Sequence, residues 1–240
     1  RQRQMCIRDS TGGMAEFKAL LREPPLLISI SVVFLLFAVF IIYPFVKILL
    51  VPDGSDWIRA LTEEEFVLAF AHTLYSSFVA TFSAIILGFL FAYGIHYTDM
   101  PCKRFFQVVA LLPTMAPSVV TGLAFIMLFG WRGFITWNLL HLKVDLYGPF
   151  GLWVAQTVAF FPLAYITISG VLKSISPNLE LAAQNLGARG WYLFRTVTLR
   201  LATPGIASAF LLVAINSLAD FGNPMLVRGN YKVLATEAYT

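Results

Sequence analysis

The sequence predicts an all-α polytopic membrane protein, a bundle of helices that cross the lipid bilayer. Of its 240 residues, 58% are hydrophobic and only 12% are charged, whereas soluble domains are about 45–50% apolar and about 25% charged. The mean hydropathy of the chain is +0.76. Five apolar stretches reach the roughly 20 residues that a helix needs to cross the hydrocarbon core. These observations exclude a soluble globular domain.

The five predicted spans follow one another along most of the chain. They cover residues 26–46, 74–97, 105–129, 150–172 and 206–225. Basic residues such as Lys103, Arg104 and Lys173 fall in connecting segments that an N-inside orientation places in the cytoplasm. By the positive-inside rule, this distribution favours the N-inside orientation.

The two ends of the chain differ from the spans. Residues 1–13 are polar and basic and lack the apolar core of a signal peptide, so we expect a non-native or disordered tail there. The membrane domain is then expected over 14–240. No sixth span precedes Thr240, and we therefore expect a domain truncated after the fifth span and incomplete at its C-terminus.

The second span carries small residues on one helical face, at every fourth position. Helices in lipid pack through small residues, because lipid provides no hydrophobic force that drives helices together. This face is therefore predicted to lie against a neighbouring helix. Its members are Ser76, Ala80, Ala84, Gly88 and Ala92.

The third span contains two prolines, Pro113 and Pro117. Each proline removes a backbone hydrogen bond of the helix and tends to kink it. Two breaks near one membrane end suit a helix that lines a translocation pathway or bends during gating. A proline whose freed carbonyl is satisfied by neighbours explains the pattern equally well, so both interpretations stay open.

A short polar and basic segment separates the fourth span from the fifth. Ser176 is a good N-cap and Pro177 falls at the first helical position, while Gly187 stands where a helix ends in the left-handed conformation. The segment therefore predicts a short helix, a glycine turn and a second helix. An apolar stripe at helical spacing on the aqueous side favours docking to a partner over a simple connector. The stripe consists of Leu179, Ala182, Ala183 and Leu186.

This segment resembles the "EAA" loop of permease subunits from binding-protein-dependent ABC importers. Ala182, Ala183 and Gly187 match the pattern, with Leu181 at the glutamate position and Glu180 one place earlier. The resemblance covers about 25–240 and includes the order of spans and loops. It implies that the loop couples the permease to a cytoplasmic ATPase. The coupling residues so implied are Glu180, Leu181, Ala182, Ala183, Gly187 and Arg189.

The resemblance implies a type I importer transmembrane domain in a bacterial inner membrane. Its implied partners are a cytoplasmic ATP-binding subunit, a second permease domain (a homodimer partner, fused or separate), an extracytoplasmic solute-binding protein and membrane lipid. The chain holds no G-x-x-x-x-G-K-[ST] sequence, so ATP hydrolysis is expected in a separate subunit. We expect no enzyme activity, cofactor, metal site or nucleic-acid partner.

Asp220 is the only acid within a predicted apolar span. A carboxylate at membrane depth is costly and marks a candidate functional site. It falls near the outer end of its span, however, where Asn223 and Pro224 can mark the end of the helix. Two roles therefore stay open, one in the translocation pathway or its gating and one as a structural cap.

The surroundings of Asp220 also bear on the transported solute. Residues 219–222 and 233–236 resemble the ferric-iron branch of these permeases and, less closely, the branches for phosphonates, polyamines and thiamine. Ferric iron is therefore the expected solute.

Two other classes of protein remain as alternatives to an ABC importer. They are an ion-coupled secondary transporter that uses Asp220 and a membrane scaffold that only recruits a soluble partner.

Overall fold

The computed structural model describes residues 24–139, 141 and 146–237. The predicted tail, 1–13, lies outside the described residues. The chain divides into two compact units, Arg1–Thr62 and Glu63–Thr240. Within the described ranges every regular element is helical, which confirms the predicted fold class.

The described part of the first unit contains one helix of membrane length. Helix α1 (Pro24–Phe37) continues through a π-helical segment (Ala38–Ile42) into α2 (Tyr43–Leu50). The apolar stretch Pro25–Leu50 is therefore longer than the predicted span, and none of its side chains is buried within the protein. A short helix, α3 (Gly54–Thr62), follows.

The second unit is a helical bundle with four further stretches of membrane length. Its long helices are joined by shorter segments. In chain order the helices are α4 (Glu64–Tyr97), α5 (Lys103–Leu111), α6 (Ser118–Phe129), α7 (Pro149–Ser174), α8 (Pro177–Asn185), α9 (Gly190–Leu193), α10 (Leu199–Leu218), α11 (Gly222–Val227) and α12 (Leu234–Glu237).

The core of this unit lies where α4, α7 and α10 pack together. The predicted small-residue face of α4 is buried along its whole length, which confirms that it packs on a neighbouring helix. At Gly88 an added Cβ would lie 2.7 Å from both the Cβ of Ala164 and the backbone nitrogen of Tyr165. Helix α7 therefore approaches α4 so closely that only glycine fits there. Helix α10 approaches α7 in a similar way, since a Cβ on Gly205 would lie 2.8 Å from Val171 Cβ.

The prediction of one continuous span over 105–129 is wrong. Helix α5 passes into a 3-10 turn, Leu112–Met115, and α6 begins only after Pro117, whose backbone is extended (φ −57°, ψ 151°). A proline disfavours the helical conformation of the preceding residue, and Ala116 is accordingly extended (φ −103°, ψ 135°). The prolines therefore separate two helices, and the apolar stretch in this region is Ser118–Leu139.

The predicted limits of the fifth span, 206–225, are also wrong. The membrane-length stretch is Gly190–Leu218, which includes a π-helical segment, Phe194–Thr198, before α10. Asn223 and Pro224 lie near the start of α11 and do not mark the end of the span. Asp220 consequently lies in the short link between two helices.

Candidate functional site

The predicted loop helix is present as α8. Pro177 occupies its first turn, as expected. Ser176 is the N-cap by its extended backbone (φ −66°, ψ 126°), but its side chain makes no capping hydrogen bond. The predicted N-cap position is therefore correct, and the side-chain contact expected from it is absent.

Gly187 ends α8 in the left-handed conformation, with φ +91°. The Gly187 N–H donates to the Gln184 carbonyl at 2.9 Å, and the Ala188 N–H donates to the Ala183 carbonyl at 3.0 Å. This pair of hydrogen bonds is a Schellman motif, which satisfies carbonyls that the end of a helix leaves unpaired. The predicted glycine turn is confirmed.

Helix α8 presents apolar side chains to the outside of the bundle. Leu179 is 50% exposed, Leu181 is 55% exposed and Leu186 is 90% exposed. Ala182 is exposed and Ala183 is half-buried. The predicted stripe is thus largely uncovered, and Leu181, which the stripe did not include, adds to the exposed apolar surface.

One polar contact attaches α8 to the bundle. The hydroxyl of Thr198 donates a 2.7 Å hydrogen bond to the carboxylate of Glu180, and Thr198 is almost fully buried. Arg189, the N-cap of α9, is extended (φ −139°, ψ 154°) and exposed. Glu180 therefore faces the bundle, while Arg189 remains accessible to a partner.

Aromatic contacts attach the second half of the loop to α4. Trp191 stacks on Phe194 with ring centroids 5.1 Å apart. Phe194 in turn meets Tyr93 edge-to-face at 5.1 Å and Phe89 at 6.0 Å. Such pairs favour a defined relative orientation of the rings. The loop is therefore held against both α4 and the start of α10.

Asp220 is buried, with 6% of its surface exposed. Its Oδ2 atom accepts hydrogen bonds from Gln156 Nε2 at 3.2 Å and from Asn223 Nδ2 at 2.8 Å. The Asn223 backbone N–H approaches Oδ1 at 3.4 Å. The carboxylate thus connects α7 with the first turn of α11, which is the kind of contact that the structural-cap hypothesis requires.

The other predicted pathway residues lie elsewhere in the bundle. Pro113 belongs to the 3-10 turn after α5 and Pro117 is the N-cap of α6. Neither lines the small cavity beside Asp220. The structure therefore does not bring the three predicted pathway residues together in one described cavity.

Sequence reasoning missed the polar partners of both regions. Gln156 is the only amide residue in its predicted span, and that isolation was a usable signal for an intramembrane polar contact. Thr198 and Asn223 carried no comparable signal, because threonine and asparagine are common near helix ends.

The chain belongs to the family of binding-protein-dependent transport system inner membrane components. The family model matches residues 83–225, more than half of the chain. This match includes α8, both prolines and Asp220, so every predicted site residue lies within the family region. The family predicted from the loop is therefore confirmed.

Comparisons with individual proteins agree with this assignment. The chain is 32% identical over 225 residues to the ferric transport system permease protein of Actinobacillus pleuropneumoniae, covering 88% of this chain and 32% of that protein. It is 31% identical over 193 residues to the molybdenum transport system permease protein of Escherichia coli K12, covering 75% and 81% respectively. The chain thus spans about a third of the length of the ferric relatives it matches.

A solved structure shares the fold. A chain in the crystal structure of a bacterial ABC transporter involved in the import of the acidic polysaccharide alginate superimposes with a TM-score of 0.74 at 19% identity. The match covers 94% of this chain and 86% of the other. At this level of identity the comparison establishes the architecture alone.

Proposed function

We propose that this chain forms the membrane-spanning part of an ATP-driven importer and that α8 is the element a cytoplasmic ATPase subunit binds. The exposed leucines of α8, held on a helix that is itself attached to the bundle, carry this proposal. Exposed apolar side chains on a short, well-terminated helix suit insertion into a groove of a partner protein. The other proposed partners are a second permease domain and an extracytoplasmic solute-binding protein.

The contacts of the loop suggest how movement of the ATPase reaches the membrane helices. A displacement of α8 acts on Thr198 through Glu180, and Thr198 is the N-cap of α10. A displacement of Trp191 acts on α4 through Phe194 and Tyr93. Closure of the ATPase around nucleotide would therefore be transmitted to two of the three helices that form the core.

We propose ferric iron as the transported solute. Ferric transport permeases are among the relatives of this chain, and two of them match 96% and 88% of it, while residues 219–222 and 233–236 resemble the same branch. Molybdate and sulfate are the second candidates, because molybdenum and sulfate transport permeases of Escherichia coli K12 match 75% and 73% of the chain at 31% and 29% identity.

Uptake of labelled ferric iron tests both parts of this proposal. The complete permease, its ATPase and its binding protein are expressed in cells, and uptake is measured with ATP depleted and, separately, with the proton gradient collapsed. We expect uptake that needs ATP and continues without the gradient. Uptake of labelled molybdate or sulfate in place of iron would reassign the solute and keep the importer mechanism.

Collapse of uptake with the proton gradient, at normal ATP, would support instead an ion-coupled secondary transporter that uses Asp220. The hydrogen bonds from Gln156 and Asn223 favour a structural role for that carboxylate. We retain a pathway role for Pro113 and Pro117 as a proposal, since the break between α5 and α6 provides a point where α6 can change its angle to α5.

A further inference from the structure

A small cavity of about 10 Å³ lies beside Asp220. Helices α4, α7 and α10 contribute Ser77, Gln156 and Ser217 to its lining, and Val233 closes it from the segment before α12. The cavity is therefore bounded by the three core helices of the second unit and by the chain that follows α11.

Three of these side chains carry a buried polar atom that has no hydrogen-bond partner among the described residues. The atoms are the Oε1 of Gln156, the Oγ of Ser217 and the Oγ of Ser77. The residues are 2%, 2% and 3% exposed, respectively. Buried polar atoms are nearly always paired with protein or with ordered water, so three unpaired atoms around one cavity require an explanation. The unpaired atoms of Thr81 and Asn223 belong to residues that do not line this cavity.

The hydrogen bonds of Gln156 determine which hydrogen-bonding groups a molecule bound in this cavity must have. Its Nε2 atom donates to Asp220 at 3.2 Å and to the Ser217 carbonyl at 3.4 Å. The Oε1 atom can only accept, so the occupant must donate a hydrogen to it. The hydroxyls of Ser77 and Ser217 can both donate and accept, so the same occupant can satisfy all three side chains by donating to one and accepting from the others.

We propose that this cavity binds a single ordered water molecule that links α4, α7 and α10 beside Asp220. Water has two donors and two acceptor lone pairs, which match one amide oxygen and two hydroxyls. A cavity of about 10–15 Å³ is the smallest that holds a water, and such a water needs two to four polar partners. Both requirements are met here.

A structure of the complete permease assembly at about 2 Å resolution tests the proposal directly. We expect one density peak within hydrogen-bonding distance of Gln156 Oε1 and of at least one of the two serine hydroxyls. A cavity without density, or side chains that have rotated to pair with each other, would overturn the proposal.

A double-mutant cycle tests it in solution. The hydroxyls of Ser77 and Ser217 make no hydrogen bond to each other, so a shared water is what couples them. We expect Ser77→Ala and Ser217→Ala each to lower the unfolding temperature in detergent. The double variant should lower it by clearly less than the sum, because either substitution already leaves the shared water with fewer partners and so weakens the contact that the other serine makes. Additive losses would count against a shared water.

Ser208→Ala is the matched control on the same helix. Its hydroxyl is exposed and donates to the Pro204 carbonyl at 2.8 Å, so this variant should behave additively with Ser77→Ala. A coupling as large as that of the Ser77 and Ser217 pair would count against the shared water, because it would show that the non-additivity arises without one.

The same melting experiment distinguishes water from a cation. The unfolding temperature of the unsubstituted protein is measured in sodium chloride and in choline chloride at equal ionic strength. Equal temperatures are expected for a water. A rise specific to sodium that Asp220→Asn removes would overturn the proposal, because it would place an oxygen-ligated cation in the cavity.

Discussion

The hydroxyl of Thr198 and the carboxylate of Glu180 lie 2.7 Å apart and form a hydrogen bond between the loop helix and the segment that opens α10. Thr198 is buried, whereas Glu180 is partly exposed. This is the one hydrogen bond between side chains that attaches α8 to the bundle in the described ranges. It gives the loop a defined position from which it can act on α10.

Replacing Thr198 by valine keeps the shape of the side chain and removes this hydrogen bond. We expect Thr198→Val to lower the free energy of unfolding by only about 1 kcal/mol, because Glu180 can turn to water. The larger effect should be on coupling, measured as ATP hydrolysis stimulated by the loaded binding protein. Thr203→Val is the control, since its exposed hydroxyl bonds the Leu199 carbonyl within its own helix. Full stimulation in Thr198→Val would show that this contact does not transmit movement.

Gly187 requires its left-handed conformation, and a side chain there would be strained although nothing lies within 4 Å of an added Cβ. The left-handed region disfavours ordinary residues by roughly 1–2 kcal/mol, and β-branched residues more so. Gly187→Val should therefore displace the end of α8, uncouple ATP hydrolysis from transport and leave the membrane spans folded. Gly187→Asn should retain most coupling, because asparagine tolerates this conformation. Equal coupling in the two variants would contradict the docking role of this turn.

Gly88 and Gly170 form a matched pair for helix packing. An added methyl at Gly88 meets the backbone of α7 at 2.7 Å, whereas nothing lies within 4 Å of an added Cβ at Gly170. Gly88→Ala should lower the unfolding temperature, because overpacking of this kind typically destabilises by about 1–3 kcal/mol. Gly170→Ala should raise the unfolding temperature slightly, since a helix is about 1 kcal/mol more favourable with alanine than with glycine at an interior position. Similar changes at both positions would show that α4 and α7 are not in backbone contact.

Asp220 allows a test that separates a structural role from a pathway role. Asp220→Leu removes the acceptor of the buried Asn223 amide and leaves Gln156 Nε2 with only its long 3.4 Å contact to the Ser217 carbonyl, and an unpaired buried group costs about 1–3 kcal/mol. Asp220→Asn retains one accepting oxygen and should cost less. We expect unfolding temperature and uptake to fall together across the two variants. Loss of uptake in Asp220→Asn at an unchanged unfolding temperature would instead place this residue in the pathway.

The existence of the spans could be predicted from hydropathy, because the length of an apolar stretch decides whether a helix can cross the bilayer. The packing face of α4 was also predictable, since a four-residue period of small side chains has a direct steric meaning in lipid. The glycine turn after α8 followed from local backbone chemistry at Gly187. These features depend on residues that are near each other in the sequence.

The errors have two physical origins. Hydropathy averaged over a span depends only on how apolar its residues are. It is therefore insensitive to the effect of Pro117, which forces Ala116 out of the helical conformation, and the third span was predicted as continuous. The contact between Gln156 and Asp220 joins residues 64 positions apart, and no local pattern indicates such a pairing. The proposed water site depends on residues of three helices together, and no local sequence pattern indicates that these residues meet.

The close approach at Gly88 also determines which parts of the bundle can move. Because the backbone of α7 lies directly against α4 at Gly88, the two helices have little room to shift relative to each other, and we expect them to move together. Bending is then expected where regular α-helical hydrogen bonding is interrupted, which in the described bundle includes Ala116, the π-helical segment Phe194–Thr198 and the link around Asp220. On the proposed importer function, α6 and α11 are therefore the helices that we expect to move relative to this pair during transport.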